Sequence, residues 1–217
     1  MRKTLFSHLI LALLAVACLS ACVQEPTTAF VAAEAPVRFI ELNTVIPDVL
    51  LDIRYATTNN FTSKVVYPSA RCFLAEPAAL ALGKVQAELR TQGYRLVVFD
   101  GYRPLHVQKA FWKILPDPRY VGDPAKGSKH NRGYAVDVTL ADSNGTPVEM
   151  PTEFDDFSEK AATNYPHVTP TAARHRRILH ETMARHGFSS FASEWWHFDY
   201  QGWETQPNRD ISFDAIR

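Results

Sequence analysis

The sequence predicts an α+β domain with a mostly antiparallel central sheet flanked by helices. Segments typical of strands and helices follow one another in an irregular order, without the strict alternation that builds a parallel sheet. Hydrophobic residues make up 46% of the 217 positions, which is enough for the core of a single domain. Lys plus Arg and Asp plus Glu balance at 23 each, so we expect no nucleic-acid partner.

The predicted elements are, in order, strands at 37–42 and 49–55, a helix at 77–92, a strand at 94–99, a helix at 104–115, a strand at 133–140, a helix at 169–185 and a strand at 191–200. Each strand is a short run of branched or aromatic residues beside turn-forming residues. The helices begin at or beside Pro77, Pro104 and Pro170, because proline suits a first helical turn. Gly93 ends the first helix and Gly187 ends the third.

The N-terminal segment resembles a bacterial lipoprotein signal. A basic start precedes an apolar run at 9–17, and Leu19-Ser20-Ala21-Cys22 is similar to a lipobox, in which the cysteine receives the lipid. We therefore predict a signal peptide at 1–21, a flexible tether at 22–36 and the domain at 37–217. The alternative is a plain signal peptide with an incidental Cys22. The apolar run is shorter than the roughly 20 residues of a membrane span, so we expect a lipoprotein anchored in the membrane by its lipid and facing the periplasm or the cell exterior.

Four residues in the body of the chain suggest a catalytic metal site. Asp137 interrupts an otherwise apolar strand, and a buried carboxylate is costly unless it is paired or binds a metal. His130 lies upstream in a polar segment, and Glu194 stands just before His197. Histidine and carboxylate ligands from separate segments suit zinc, which binds three protein groups and a water in catalytic sites.

Each candidate ligand also has an ordinary interpretation. His130 could lie in a surface loop, and His197 could be a core histidine with satisfied hydrogen bonds. Asp137 could pair with Arg132 or Arg103. The joint occurrence of the three residues favours the metal site. Cys72 has apolar neighbours, and we interpret it as a packed apolar residue rather than a nucleophile.

Four segments resemble motifs of the zinc D-Ala-D-Ala peptidases. The segment 128–137, SKHNRGYAVD, is similar to their Ser-x-His-x-x-Gly-x-Ala-x-Asp motif, and EWWH at 194–197 is similar to the Glu-x-x-His that completes the site. FDGYRP at 99–104 resembles their arginine segment. IRYATTNNFT at 53–62 resembles the N-terminal block that separates the dipeptidases from related carboxypeptidases. The resemblance implies the α+β fold of these peptidases, which is of the hedgehog-like type.

The resemblance also implies a role for each matched residue. His130, Asp137 and His197 would bind one zinc ion per chain and leave one position for water. Glu194 would take the proton of that water as it attacks the peptide carbonyl, and Arg103 would stabilise the oxyanion. An ideal strand would point Glu194 and His197 to opposite faces. We therefore expect the chain to bend there, or Glu194 to precede the strand.

Two residues are candidates for holding the substrate. By the same resemblance, Ser128 would bind its C-terminal carboxylate, and Asp155 matches the approximate position of an acidic residue that meets its free amine. Asp156 is the alternative to Asp155, and a solvated acidic loop is the ordinary interpretation of both. Trp195 and Trp196 are interpreted as core or pocket wall.

The function predicted from these residues is hydrolysis of the D-Ala-D-Ala dipeptide, or of a related D-alanyl peptide, with zinc as the cofactor. One alternative is a peptidoglycan D,D- or L,D-carboxypeptidase that uses the same residues. The other is a non-catalytic zinc lipoprotein that binds wall peptides. The presence of both Glu194 and Arg103 argues against the last alternative, because binding alone needs no base.

Overall fold

A computed structural model of the chain describes residues 37–216. The predicted signal peptide, Cys22 and the tether at 22–36 lie outside these residues and stay predictions. Within the described range, no helix is both long and apolar enough to cross a membrane.

The helices and strands follow one another irregularly, as the sequence predicts. The strands are β1 (Phe39–Glu41), β2 (Leu50–Leu51), β3 (Phe73–Ala75), β4 (Tyr94–Asp100), β5 (Ala135–Asp142), β6 (Phe188–Phe191) and β7 (Glu194–Tyr200). The α-helices are α1 (Leu42–Val45), α2 (Glu76–Thr91), α3 (Leu105–Ile114) and α4 (Pro170–Arg185).

One five-stranded sheet carries most of the fold, in the strand order β2-β4-β5-β7-β6. β2 runs parallel to β4, and every other neighbouring pair in this sheet is antiparallel. A smaller antiparallel sheet joins β1 to β3. The predicted α+β class with a mostly antiparallel sheet is therefore confirmed.

The core forms where α2 and α4 pack against each other and against the large sheet. The buried face of α2 carries Leu82, Val85 and Leu89, which recur at helical spacing. α4 begins after Thr169, whose hydroxyl accepts a hydrogen bond of 3.0 Å from the backbone N–H of Ala172. Cys72 is 2% exposed and belongs to this core, which agrees with its interpretation as a packed apolar residue.

Some predicted elements differ from the observed ones. The single strand predicted at 191–200 is wrong, because this segment holds the end of β6, a turn at Ala192 and Ser193, and β7. The strand predicted at 49–55 is reduced to Leu50–Leu51, since the chain enters a 3-10 helix at Arg54–Ala56. β3 and α1 have no counterpart among the predicted elements.

Candidate metal centre and active site

Three predicted metal ligands meet in the middle of the large sheet. Asp137 on β5 lies directly opposite His197 on β7 in the ladder, and His130 reaches them from a 3-10 turn at His130–Arg132. The Nδ1 atom of His197 is 3.0 Å from Oδ1 of Asp137 and 3.1 Å from Nε2 of His130. Nε2 of His130 is 3.5 Å from the same Asp137 oxygen. All three residues are buried, so His130 does not lie in a surface loop. Asp137 contacts His197, whereas Arg103 pairs with Asp100.

The spacing of these donor atoms fits a tetrahedral metal ion. Four ligands arranged tetrahedrally at about 2.0–2.1 Å from zinc stand roughly 3.3 Å from one another. The three observed separations lie between 3.0 and 3.5 Å. Two imidazoles and one carboxylate are also a donor set typical of catalytic zinc. The residues present therefore fit a zinc ion with one position left for a further ligand.

Hydrogen bonds behind the two histidines fix which ring nitrogen faces the cluster. Nδ1–H of His130 donates to the carbonyl oxygen of Gly101 at 2.8 Å, and this leaves Nε2 as the free donor atom. Nε2–H of His197 donates to Oδ1 of Asp199 at 2.8 Å, and this leaves Nδ1. Lys129 holds the other oxygen of Asp199 at 2.8 Å. Such partners orient metal-binding imidazoles and raise their basicity.

The cluster strongly attracts positive charge. Burial alone would lower the pKa of His197, but hydrogen bonds to Asp137 and Asp199 raise this pKa to about 10. Burial alone would raise the pKa of Asp137, but the adjacent His130 and His197 bring it well below its usual range. A cation placed between these groups would satisfy all of them at once, which supports the fit of a metal ion.

Glu194 faces the same cluster because β7 is irregular at its start. Ser190 pairs with Phe198, yet the next residue, Phe191, pairs with Glu194. The extra residues on β7 form a bulge, so Glu194 and His197 do not point to opposite faces. Oε2 of Glu194 is 3.8 Å from Nδ1 of His197. The expected bend at this point is therefore present.

The environment of Glu194 favours its neutral form in the absence of a metal. Burial raises the pKa of its carboxyl group to about 8, although the neighbouring His197 opposes this shift. A carboxyl group whose pKa is raised toward neutrality can both accept and return a proton, as general acid–base catalysis requires.

Arg103 is held in place by a buried carboxylate. Its Nε and Nη2 atoms donate to Oδ2 of Asp100 at 3.0 and 2.7 Å, and its Nη1 donates to Oε1 of Gln108 at 2.9 Å. The guanidinium also lies over the ring of Phe111 at 4.9 Å. A guanidinium has five N–H donors, so the bonds to Asp100 and Gln108 leave two for a ligand in the cavity that Arg103 lines.

Gly101 and Gly133 are required by close approaches of the backbone. A Cβ atom on Gly101 would stand 2.5 Å from Sγ of Cys72 and 2.8 Å from the carbonyl oxygen of Phe73. Gly133 has a φ of 74°, and its Cβ would collide with the ring of Phe39. Gly101 supplies the carbonyl that orients His130, and Gly133 ends the turn that carries it. Both glycines therefore help to position the histidine.

A single small cavity is lined by all seven of the predicted site residues, which are Arg103, Ser128, His130, Asp137, Asp155, Glu194 and His197. Its volume is about 160 Å³, well below the roughly 300 Å³ at which pockets for drug-sized ligands begin. The rings of Phe61, Tyr120 and Phe157 also line it, and Phe157 packs on both of the others. The cavity therefore suits a small ligand.

The two candidate substrate-binding residues have different surroundings. Asp155 accepts hydrogen bonds from the hydroxyl of Tyr55 at 3.2 and 3.3 Å. Its backbone φ of 60° is unusual for a residue other than glycine. Burial, together with the charge of Asp137, raises the pKa of Asp155 to about 7. Asp156 instead accepts from the backbone N–H of Ser158. Ser128 lies next to the turn that carries His130 and accepts from the N–H of that residue at 3.3 Å.

Comparison with known proteins identifies the family. A family model described as D-ala-D-ala dipeptidase matches residues 36–214, which is most of the chain. The chain belongs to the D-Ala-D-Ala dipeptidase family. It is therefore a metallopeptidase of the dipeptidase type, and the predicted resemblance is confirmed.

Relatives of the dipeptidase family align over most of their length. A D-alanyl-D-alanine dipeptidase of Escherichia coli (strain K12) is 39% identical over 160 residues, which cover 74% of this chain and 83% of the relative. One from Enterococcus faecalis (strain ATCC 700802 / V583) is 32% identical over 181 residues, covering 74% and 90%. The solved structure of the LdcB LD-carboxypeptidase aligns with a TM-score of 0.44 and 20% identity over 78% of this chain and 70% of that one, which is too distant a likeness to bear on function.

The sequence analysis gave no role to four residues around the site of this dipeptidase family member, although three of them lie inside the matched segments. Asp199 orients His197, Lys129 holds Asp199, Asp100 holds Arg103, and Tyr55 contacts Asp155. A signal existed for two of them, because Asp199 follows His197 at strand spacing and Asp100 precedes Arg103 at turn spacing. The contact between Tyr55 and Asp155 spans 100 positions, so no local pattern indicates it.

Proposed function

We propose that this protein is a zinc-dependent dipeptidase that hydrolyses D-Ala-D-Ala to two D-alanines. The observation that carries the proposal is the convergence of the seven predicted site residues on one small cavity. The curated relatives that align with most of the chain are named D-alanyl-D-alanine dipeptidases, and this name supports the choice of substrate.

In this proposal His130, Asp137 and His197 hold the zinc ion. Bound there, zinc would act as a Lewis acid and allow water to serve as a nucleophile near neutral pH. The protein residues would do the rest. Oε2 of Glu194 lies 3.8 Å from Nδ1 of His197. Glu194 would take the proton of the attacking water and return it to the leaving amine. The two remaining N–H groups of Arg103 would bind the oxygen on which negative charge develops.

The ends of the substrate would be held by Ser128 and Asp155. The hydroxyl of Ser128 would donate to the carboxylate of the dipeptide, and Asp155 would accept from its ammonium group. Burial alone would disfavour the charged form of Asp155, and a bound ammonium group would restore it. The rings of Phe61, Tyr120 and Phe157 line the same cavity as Asp155, and the volume of this cavity is about 160 Å³. So small a cavity favours a dipeptide over the longer stem peptides of a carboxypeptidase.

A substrate panel tests this function. Zinc-loaded protein is incubated with D-Ala-D-Ala, L-Ala-L-Ala and a peptidoglycan stem pentapeptide, and the release of alanine is measured. We expect release from D-Ala-D-Ala above all. Preferential release from the pentapeptide would establish the carboxypeptidase instead, and no release from any substrate would support the non-catalytic binding protein.

We further propose that the enzyme acts outside the cytoplasm, attached to the membrane through a lipid on Cys22. Support comes from the signal-like segment 1–21 and the lipobox-like sequence before Cys22. The several acyl chains of a bacterial lipoprotein should hold it firmly, since a single chain binds only marginally. Fractionation of cells that express wild type or Cys22→Ser tests this. Cytosolic wild-type enzyme would refute export, and equal membrane retention of both forms would refute the anchor.

A further inference from the structure

The bulge that aims Glu194 at the metal cluster runs from Glu194 to His197, and its two middle residues interrupt the registers with both neighbouring strands. On one side, β6 pairs Ser190 with Phe198 and then Phe191 with Glu194. On the other side, β5 pairs with β7 only at His197, Phe198 and Asp199. Trp195 and Trp196 are therefore not among the paired residues of either register. Buried backbone polar groups need partners, and two side chains from outside the sheet bind the backbone of this segment.

Thr163 supplies partners on the hairpin side of the bulge. Its hydroxyl is 2.6 Å from the carbonyl oxygen of Phe191, to which it donates, and 3.4 Å from the carbonyl oxygen of Glu194. Its backbone N–H donates to the carbonyl oxygen of Ala192 at 3.0 Å. Thr163 lies in a different loop and thus binds the turn between β6 and β7 at both of its ends.

His180 supplies a partner inside the bulge. It projects from α4, and its Nε2–H donates to the carbonyl oxygen of Trp195 at 2.8 Å. The ring also packs edge-on against Phe198 at 4.9 Å. Because α4 is anchored in the core, this bond fixes the carbonyl next to Glu194 to a rigid element. Neither Thr163 nor His180 is among the residues that line the cavity.

We propose that Thr163 and His180 are positioning residues that hold the Glu194–His197 bulge in the conformation in which Glu194 faces the metal cluster. They act through the backbone and touch neither substrate nor metal. The inference rests on the proposed function, because it takes Glu194 as the base. Loss of either bond would let the bulge move toward a regular strand, in which Glu194 turns away from His197.

The test compares variants that remove each bond with variants that keep it. Thr163→Val and His180→Leu remove the donor, whereas Thr163→Ser and His180→Gln retain a donor at similar reach. Thr163→Ala is a second removal variant in case valine does not fold. His175→Leu is a matched control, because His175 lies on the same helix and bonds a backbone carbonyl, that of Glu149, away from the bulge.

We expect the removal variants to lower kcat at least about tenfold, since small misplacements of a catalytic group are costly. KM and zinc affinity should stay at wild-type values. Hydrogen exchange of the peptide 191–199 in the metal-free full chain should accelerate at least about tenfold, as expected when local opening becomes easier. Thr163→Ser and His180→Gln should restore kcat and slow exchange, and His175→Leu should change neither.

Two results would overturn the inference. One is wild-type kcat and wild-type exchange in both Thr163→Val and His180→Leu. The other is a loss of zinc affinity that parallels the loss of kcat, which would mean that the two residues support the ligand His197 rather than Glu194. Glu194→Gln, measured beside them, separates this inference from the proposed function. If Glu194→Gln keeps full turnover, the assignment of the base fails; if it alone loses turnover, only the positioning role fails.

Discussion

The buried pair of Asp100 and Arg103 predicts a large stability loss for Asp100→Asn. The side chain of Asp100 is 0% exposed and that of Arg103 is 9% exposed. Within residues 37–216, the carboxylate of Asp100 accepts four hydrogen bonds. The hydroxyl of Tyr67 and the N–H of Gly101 donate to Oδ1, and two guanidinium N–H groups of Arg103 donate to Oδ2. In either orientation, the amide NH₂ of asparagine would face donors and lose their bonds.

The cost can be set against that of a second Asp–Arg pair, in which the carboxylate is exposed. Removing one charge of a buried ion pair costs about 3–5 kcal/mol, which for a domain of this size lowers the melting temperature by roughly 6–20 °C. Asp52 also pairs with an arginine, Arg54, at 2.7 Å, but its side chain is 45% exposed. Asp52→Asn should therefore cost less than about 1 kcal/mol.

Thermal unfolding of wild type, Asp100→Asn and Asp52→Asn is followed at one pH and with the same excess of zinc. The free zinc concentration, on which the contribution of metal binding depends, is then the same for all three proteins. Equal melting temperatures for the two variants would refute the argument that the Asp100 carboxylate stabilises the fold more than Asp52 because it is buried.

Three further predictions follow from contacts around the cavity. Asp199→Asn should weaken zinc binding about 10–100-fold, because Asp199 orients His197; competition with a chelator measures this, and unchanged affinity would contradict it. Asp155→Asn should raise KM for D-Ala-D-Ala without loss of zinc. Burial raises the pKa of Asp155 to about 7, so its charge is lost as the pH falls through 7, and KM of the wild type should rise below that pH while KM of the variant stays flat. Gly133→Ala should destabilise the fold by about 1–3 kcal/mol, since φ is 74° and the Cβ would collide with Phe39; denaturant unfolding tests this, and wild-type stability would disprove it.

Local patterns were sufficient to predict the elements that depend on local physics. Pro77 and Gly93 bounded the helix predicted at 77–92, and Pro170 and Gly187 bounded the one predicted at 169–185; the structure has α2 and α4 there. The sequence analysis did not separate the two strands of the β6–β7 hairpin, because the turn at Ala192 and Ser193 has neither glycine nor asparagine to mark it. A continuous aromatic run therefore looked like one strand.

The candidate site shows the same division between local and long-range information. Asp137 was singled out because a charge inside an apolar strand needs a reason. The sequence alone did not determine how Glu194 comes to face the same side as His197, since an ideal strand would aim it away. The bulge that turns it depends on Thr163 and His180. Both lie far from Glu194 along the chain and belong to no motif.

The most direct test of the central claim measures zinc content and turnover together in three proteins. Wild type should hold one zinc per chain and release D-alanine from D-Ala-D-Ala. Asp137→Ala should lose both the metal and the activity. Glu194→Gln should keep the metal while turnover falls at least about 10²-fold, which is the usual scale for a lost general base. Full zinc occupancy in Asp137→Ala, or wild-type turnover in Glu194→Gln, would contradict the account.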